Sequence, residues 1–159
     1  MASNVAGISN VAGISIMAFV VSVAISAAYY QFVYIPQANE TPVVPEEVLN
    51  PVESVEIAIS VGSSQPSQTE NFVPKEAQGE LGLSNRFVWT NDDSVPHTVT
   101  SDTGYEDPIN GAFNSMDTIG LIPANEKFEF TFTEVGEYPY HCEPHPWMTG
   151  KVSVSEGRF

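Results

Sequence analysis

The chain is 159 residues long, about one domain's worth, and carries 20 Asp and Glu against 5 Lys and Arg, a formal charge of −15. That balance excludes a nucleic-acid binder, because phosphate recognition needs clustered cations; it fits a surface that repels its own kind or docks on a basic partner. A single cysteine, Cys142, excludes an internal disulfide, so the thiol is free, reactive or metal-bound.

The first charged side chain is Glu40. Before it, residues 13–35 read "GISIMAFVVSVAISAAYYQFVYI", and as a helix this stretch would reach about 35 Å, enough to cross a hydrocarbon core of roughly 30 Å. Tyr29, Tyr30 and Tyr34 cluster at its C-terminal end, as an interfacial aromatic belt would. A cleaved signal peptide is the rival reading, with Ser26 and Ala28 small enough for a cleavage site. The missing cationic n-region and the apolar run beyond that point favour an uncleaved anchor. Residues 4–15, "NVAGISNVAGIS", are a duplication; two copies are too few for a repeat fold.

Residues 36–53, "PQANETPVVPEEVLNPVE", hold four prolines and four glutamates, a composition that reads as a stiff, solvated linker. Asn39-Glu40-Thr41 is a glycosylation sequon. From residue 54 to 159 the period changes to two. Val55, Ile57, Ile59 and Val61 alternate with more polar or smaller residues, and Phe128, Phe130 and Phe132 do the same. "NRFVWTN", "HTVTS" and "KVSVS" are further short runs, separated by turn signals such as Asn110-Gly111 and Thr149-Gly150. Many short alternating strands predict an all-β sandwich or barrel. The carboxylate pairs Asp92-Asp93 and Glu106-Asp107 read as solvated turn residues, without the spacing of a calcium loop.

The chemistry concentrates in "YPYHCEPHPWMTG", residues 138–150, where Cys142, His145 and Met148 recur at every third position. Thiolate, imidazole and thioether are soft or borderline ligands, and together they suit copper better than oxygen-loving ions. A trigonal set of two nitrogens and one sulfur, with a weak axial Met, requires a second imidazole. His141 adjoins Cys142 on a strand, so its side chain should point to the opposite face. That leaves His97, in "NDDSVPHTVTS". Taken singly, a buried cysteine is commonly a small hydrophobe and a methionine ordinary core; four such residues in this order and spacing are hard to obtain from packing alone.

"WTNDDSVPHTVTS" followed by "FTEVGEYPYHCEPHPWMTGKVSV" resembles the cupredoxins, the plastocyanin and amicyanin family of blue copper proteins. The short Cys-x-x-His-x-x-Met interval resembles the amicyanin type. The resemblance implies a Greek-key β-sandwich over residues 54–159 and one type 1 copper bound by His97, Cys142, His145 and Met148. It also implies outer-sphere electron transfer with the metal cycling between Cu(I) and Cu(II), through a port at His145 ringed by Pro144, Pro146 and Trp147, with Trp147 shielding the site from water. The prolines bracketing His145 would stiffen the loop and remove two backbone donors. Two departures from plastocyanins stand out. Thr98 replaces the usual Asn after the first histidine, which predicts a Thr98 hydroxyl contact to Glu143. His141 replaces the usual Tyr before the cysteine.

The reading is therefore three segments: an N-terminal tail and transmembrane anchor (1–35), a linker (36–53) and a cupredoxin domain (54–159). It is an electron carrier rather than an enzyme, tethered in the cell membrane by a single pass, with its copper domain on the extracytoplasmic side and redox proteins as partners. The alternatives are a copper carrier or storage protein with exchangeable metal, and a copper-dependent oxidoreductase subunit acting on Cu(I) or a nitrogen oxide. With three histidines in the chain, an autonomous second copper centre lacks ligands.

Overall fold

The computed structural model describes residues 5–38 and 44–157, the side chains of 5–12 excepted. The sequon at Asn39 lies outside the described residues, as does the middle of the expected linker. The chain divides into two compact units, residues 1–43 and 44–159.

In the first unit, helix α1 (Val5–Tyr29) runs through a widened π turn (Tyr30–Tyr34) into the short α2 (Ile35–Ala38). The amide of Ile35 reaches back five residues to the Tyr30 carbonyl. The cause is local: Pro36 offers no N–H to the Phe32 carbonyl and its ring crowds the preceding turn, so the helix widens there instead of breaking. Tyr30 and Tyr34 stack one turn apart, ring centroids 5.3 Å. The span Gly13–Ala38 is long and apolar enough to cross a membrane, and its side chains are not buried within the unit. The duplicated "NVAGIS" segments, Asn4 apart, lie within α1.

The second unit begins before the expected domain start. Pro45 leads into a single helical turn, α3 (Glu46–Leu49), which buries Val48. Pro51 is buried as well. The buried Asn85 amide donates to the Val48 carbonyl at 2.7 Å and to the Phe132 carbonyl at 2.7 Å. So the later part of the Pro/Glu-rich stretch is not solvated linker. Two of its apolar side chains, Val48 and Pro51, pack, and its backbone supplies an acceptor that a buried amide requires.

The body of this unit is two four-stranded sheets. The first has the order β2 (Phe72–Val73), β1 (Ser54–Ile59), β4 (Arg86–Asn91), β8 (Lys127–Thr131); the second has β3 (Glu76–Glu80), β10 (His145–Ser155), β9 (Gly136–Cys142), β5 (Thr100–Ser101). A separate two-stranded ribbon pairs β6 (Glu106–Asp107) with β7 (Gly111–Ala112). β1 runs parallel to β4 and β10 parallel to β3, with antiparallel pairing elsewhere. Such non-consecutive neighbours are what Greek-key crossovers between two sheets produce.

The period-2 alternation sorts most side chains as expected, although Val61, the last of its run, lies beyond β1 and is exposed. Register places Ile57 beside Trp89 and Trp89 beside Phe128. Trp89, Phe113, Phe132 and Tyr140 are fully buried, and the Trp89 and Tyr140 rings meet edge to face at 5.5 Å. On β9, Tyr138, Tyr140 and Cys142 point inward, while Pro139 and His141 lie between them and are partly exposed. The same alternation that fills the core thus delivers Cys142, at the last position of β9, into the interior at one end of the sandwich.

Candidate metal centre

Two segments build the site. The first leaves β4 at Asn91, a buried residue around which the following loop wraps. The Asn91 amide donates to the carbonyls of Val95 and Ile122, both at 2.9 Å, and its side-chain oxygen accepts the Asp93 amide at 3.0 Å. His97 then forms an isolated bridge with Ile122, with backbone bonds of 3.2 and 2.8 Å. The expected strand over residues 97–101 is regular only at Thr100–Ser101. The buried His97 sits just before it, held by this bridge rather than by a ladder.

The second segment is the turn between β9 and β10. Cys142 pairs with His145 across Glu143 and Pro144, but the next pairing is His141 with Thr149. Pro146, Trp147 and Met148 therefore form a bulge. Pro146 cannot donate to a ladder, and a bulge re-aims the side chains of the bulged strand. Met148 is driven inside, at 0% exposure; His145 stays half-buried, and Pro144, Pro146 and Trp147 remain exposed around it.

These segments converge on the thiol. Cys142 Sγ lies 3.6 Å from His97 Nδ1 and 3.5 Å from His145 Nδ1. The three donor atoms all lie within 4.8 Å of one another. Met148 belongs to the same buried cluster as Cys142. The Thr98 amide donates to Cys142 Sγ at 3.3 Å, and the Thr98 hydroxyl accepts the Glu143 amide at 2.8 Å. The Thr98–Glu143 contact is thus present, with the backbone of Glu143 rather than its carboxylate as partner. Trp147 packs its ring 5.3 Å from that of His145 and donates its indole N–H to the Ser63 carbonyl at 3.0 Å.

Burial pushes the Cys142 thiol up, against the hydrogen bonds from Thr98 that favour the thiolate. Burial also pushes His97 down, opposed by its bond to Asp93, while nearby His145 lowers it further. His97 is therefore neutral at pH 7, with a lone pair available for a metal. The site selects its tautomer. His97 Nε2 lies 3.1 Å from Asp93 Oδ2, and a carboxylate only accepts, so Nε2 carries the proton and Nδ1 faces Cys142 unprotonated.

Asp93 corrects the reading of both acidic pairs as solvated turns. Asp93 and Asp107 are each 3% exposed. Asp107 ties a turn to a strand end, accepting from the Thr133 amide at 2.6 Å, the Thr133 hydroxyl at 2.9 Å and the Ile109 amide at 3.0 Å. Burial alone would raise Asp93, but hydrogen bonds from Gly62, His97, Ser94 and Ser64 outweigh it and bring the carboxyl down from 3.8 to about 2. The Asp-x-x-x-His interval is the signal the sequence carries for this contact, weak because adjacent acids in a turn usually face water. His141 turns outward as expected and pairs through Nδ1 with Asp102, both partly exposed.

The sulfur–nitrogen spacings and the donor chemistry suit a copper ion. For bonds of about 2.0–2.1 Å to nitrogen and about 2.3 Å to sulfur, the observed sulfur–nitrogen separations of 3.5 and 3.6 Å subtend an angle of about 110° at a shared metal. A tetrahedral or trigonal centre accepts that angle. Soft thiolate and thioether with borderline imidazole suit copper.

The comparisons agree with this chemistry. The profile of the copper binding proteins of the plastocyanin/azurin family matches residues 59–155, which include both ligand segments, and the chain belongs to that family. It is thus a cupredoxin, whose family cofactor is one type 1 copper. Amicyanin of Paracoccus denitrificans is 37% identical over 74 residues, 45% of this chain and 50% of its own. Plastocyanin of Capsella bursa-pastoris is 36% identical over 91 residues, 53% of this chain and 87% of its own. The chain spans about half the length of the amicyanins it matches. Among solved structures, a purple cupredoxin from Nitrosopumilus maritimus aligns with a TM-score of 0.51 at 32% identity, covering 64% of this chain and 99% of its own.

Proposed function

We propose that this chain is a membrane-tethered electron carrier in which His97, Cys142, His145 and Met148 hold one copper. The observation that carries the reading is the convergence of one buried thiol and two imidazole Nδ1 atoms at 3.5–3.6 Å, on a frame whose backbone is pinned from both sides. When bound, the copper supplies a one-electron couple. The chain's own part is to keep the donors still. The Asn91 amide fixes the His97 loop, Thr98 ties that loop to the ligand turn, and the bulge after His145 turns Met148 into the interior. A frame that does not move between oxidation states keeps the barrier to electron transfer low.

His145 is half-buried, so one edge of its ring meets solvent between exposed Pro144, Pro146 and Trp147. Val61 and Leu121 are also exposed, one residue from Gly62 and Ile122, which bond the Asp93–His97 segment. This apolar rim suits a small, transient interface with a redox protein. The apolar helix would confine the carrier to a membrane and raise its effective concentration near partners there, with the copper domain outside the cytoplasm. A carrier of exchangeable copper would need an open site, and three of the four donor residues here are fully buried. An oxidoreductase would need a vacant coordination position, which Met148 takes, and more imidazoles than His141, already paired with Asp102.

The test is the visible and EPR spectrum of the detergent-solubilised full chain after one equivalent of Cu(II). The expected result is an intense thiolate-to-copper charge-transfer band with the altered hyperfine splitting of a thiolate site, and slow loss of copper to a chelator. A weak spectrum of the ordinary tetragonal kind would overturn the reading.

A further inference from the structure

The Asp93 carboxylate makes more contacts than a structural turn needs. Its Oδ1 accepts the amides of Gly62 at 3.0 Å and Ser94 at 2.8 Å; its Oδ2 accepts the amide of Ser64 at 3.2 Å and His97 Nε2 at 3.1 Å. A buried carboxylate with four N–H donors is stable only as the anion. The charge is therefore permanent, and it sits directly behind a ring whose other nitrogen faces Cys142.

The cradle comes from a distant part of the chain. Residues 62–64 lie between β1 and β2. Gly62 has φ +85°, in the left-handed region that side-chain-bearing residues rarely adopt, and this turn aims its amide and that of Ser64 at Asp93. Ser63 between them is fully buried; its hydroxyl donates to the Ser60 carbonyl at 2.7 Å, and its own carbonyl accepts the Trp147 indole. One three-residue loop thus touches both ligand-bearing segments, Asp93 behind His97 and Trp147 beside His145.

We propose that Asp93 is a positioning residue of the copper centre: cradled by residues 62–64, its carboxylate fixes the ring of His97 and stabilises the more positive metal state through it, holding the reduction potential down. The inference rests on the copper reading above. A carboxylate bonded to a ligand imidazole makes that imidazole a stronger electron donor, and loss of such a partner typically costs 10–100-fold in metal affinity. The doubly charged cation should lose more of this than the singly charged one.

The experiment compares Asp93→Asn with Asp92→Asn in the full copper-loaded chain. Asp92 is the exposed neighbour, so its variant removes the same charge from the same turn without touching His97. For Asp93→Asn the charge-transfer band is expected to persist while the Cu(II)-to-Cu(I) affinity ratio falls about tenfold or more, a rise in midpoint potential of about 59 mV per tenfold change for a one-electron couple. Asp92→Asn should shift it far less. An intact band with an unmoved or lowered potential in Asp93→Asn overturns the proposal, as does an equal shift in Asp92→Asn, which would mean a general surface field. If Asp93→Asn does not fold, the unaltered Cu(I) protein decides by NMR. A slowly exchanging His97 Nε2 proton supports the proposal, and a rapidly exchanging one overturns it. Absence of the band in the unaltered protein would remove the copper reading itself, an outcome distinct from a shift that fails to appear.

Discussion

Thr98 carries two bonds on one residue: its amide donates to the Cys142 sulfur and its hydroxyl receives the Glu143 amide. It is 1% exposed, so its own amide has no water to substitute for the sulfur. Replacing the hydroxyl by a methyl of similar size leaves a partly buried amide without an acceptor, which costs roughly 1–3 kcal/mol. Thr98→Val is therefore expected to lower unfolding stability by that amount in urea and to shift the copper potential, because the amide beside the sulfur loses its anchor. Unchanged stability and unchanged potential together would show that the two loops are held by something else. The contact was foreseeable from the sequence because Thr98 directly follows His97, where plastocyanins usually carry the Asn that ties the two loops. That Glu143 would answer with its backbone amide rather than its carboxylate was not foreseeable, since a backbone amide is available at every non-proline position and only the fold says which group arrives.

At the scale of elements, the site depends on the β9–β10 hairpin keeping its register. Gly150, on β10 opposite Tyr140, shows how tightly that pair is packed. A Cβ at position 150 would fall within the contact distance of the Tyr140 ring, which is fully buried and cannot swing away. Gly150→Ala should destabilise the chain by about 1–3 kcal/mol, the usual cost of overpacking, and should loosen copper binding because Cys142 lies two residues beyond Tyr140. Denaturant unfolding of the variant checks the first effect and chelator competition the second; full stability would mean that the hairpin can slide or bend there. The strands themselves were readable where alternation was strong, as in β1, β4 and β8. β3, "EAQGE", was not, because a strand with polar residues and a glycine acquires its identity from pairing with β10 rather than from its own pattern.

For the whole molecule, charge decides encounter. The net charge is −15, so association with the proposed redox partner should be steered by a basic surface on that partner. The association rate is then expected to fall as salt rises, since screening at physiological ionic strength acts beyond about 8 Å. Stopped-flow reduction by a cationic redox protein across a salt series measures this, and a rate indifferent to salt would count against it.

The amino-acid sequence by itself determined the apolar helix, the period of the strands, the acid excess and the donor chemistry of Cys142, His145 and Met148. Each of these is a local property, a matter of residue type and spacing within a few positions. The tertiary structure decided what sequence distance conceals: that Val48 and Pro51 belong to the folded unit, that Asp93 is buried rather than solvated, and that a loop at residues 62–64 meets both Asp93 and Trp147. Those contacts arise because two twisted sheets with crossover connections bring together segments that are tens of residues apart. Only the closed sandwich then excludes the water that would otherwise satisfy the same polar groups.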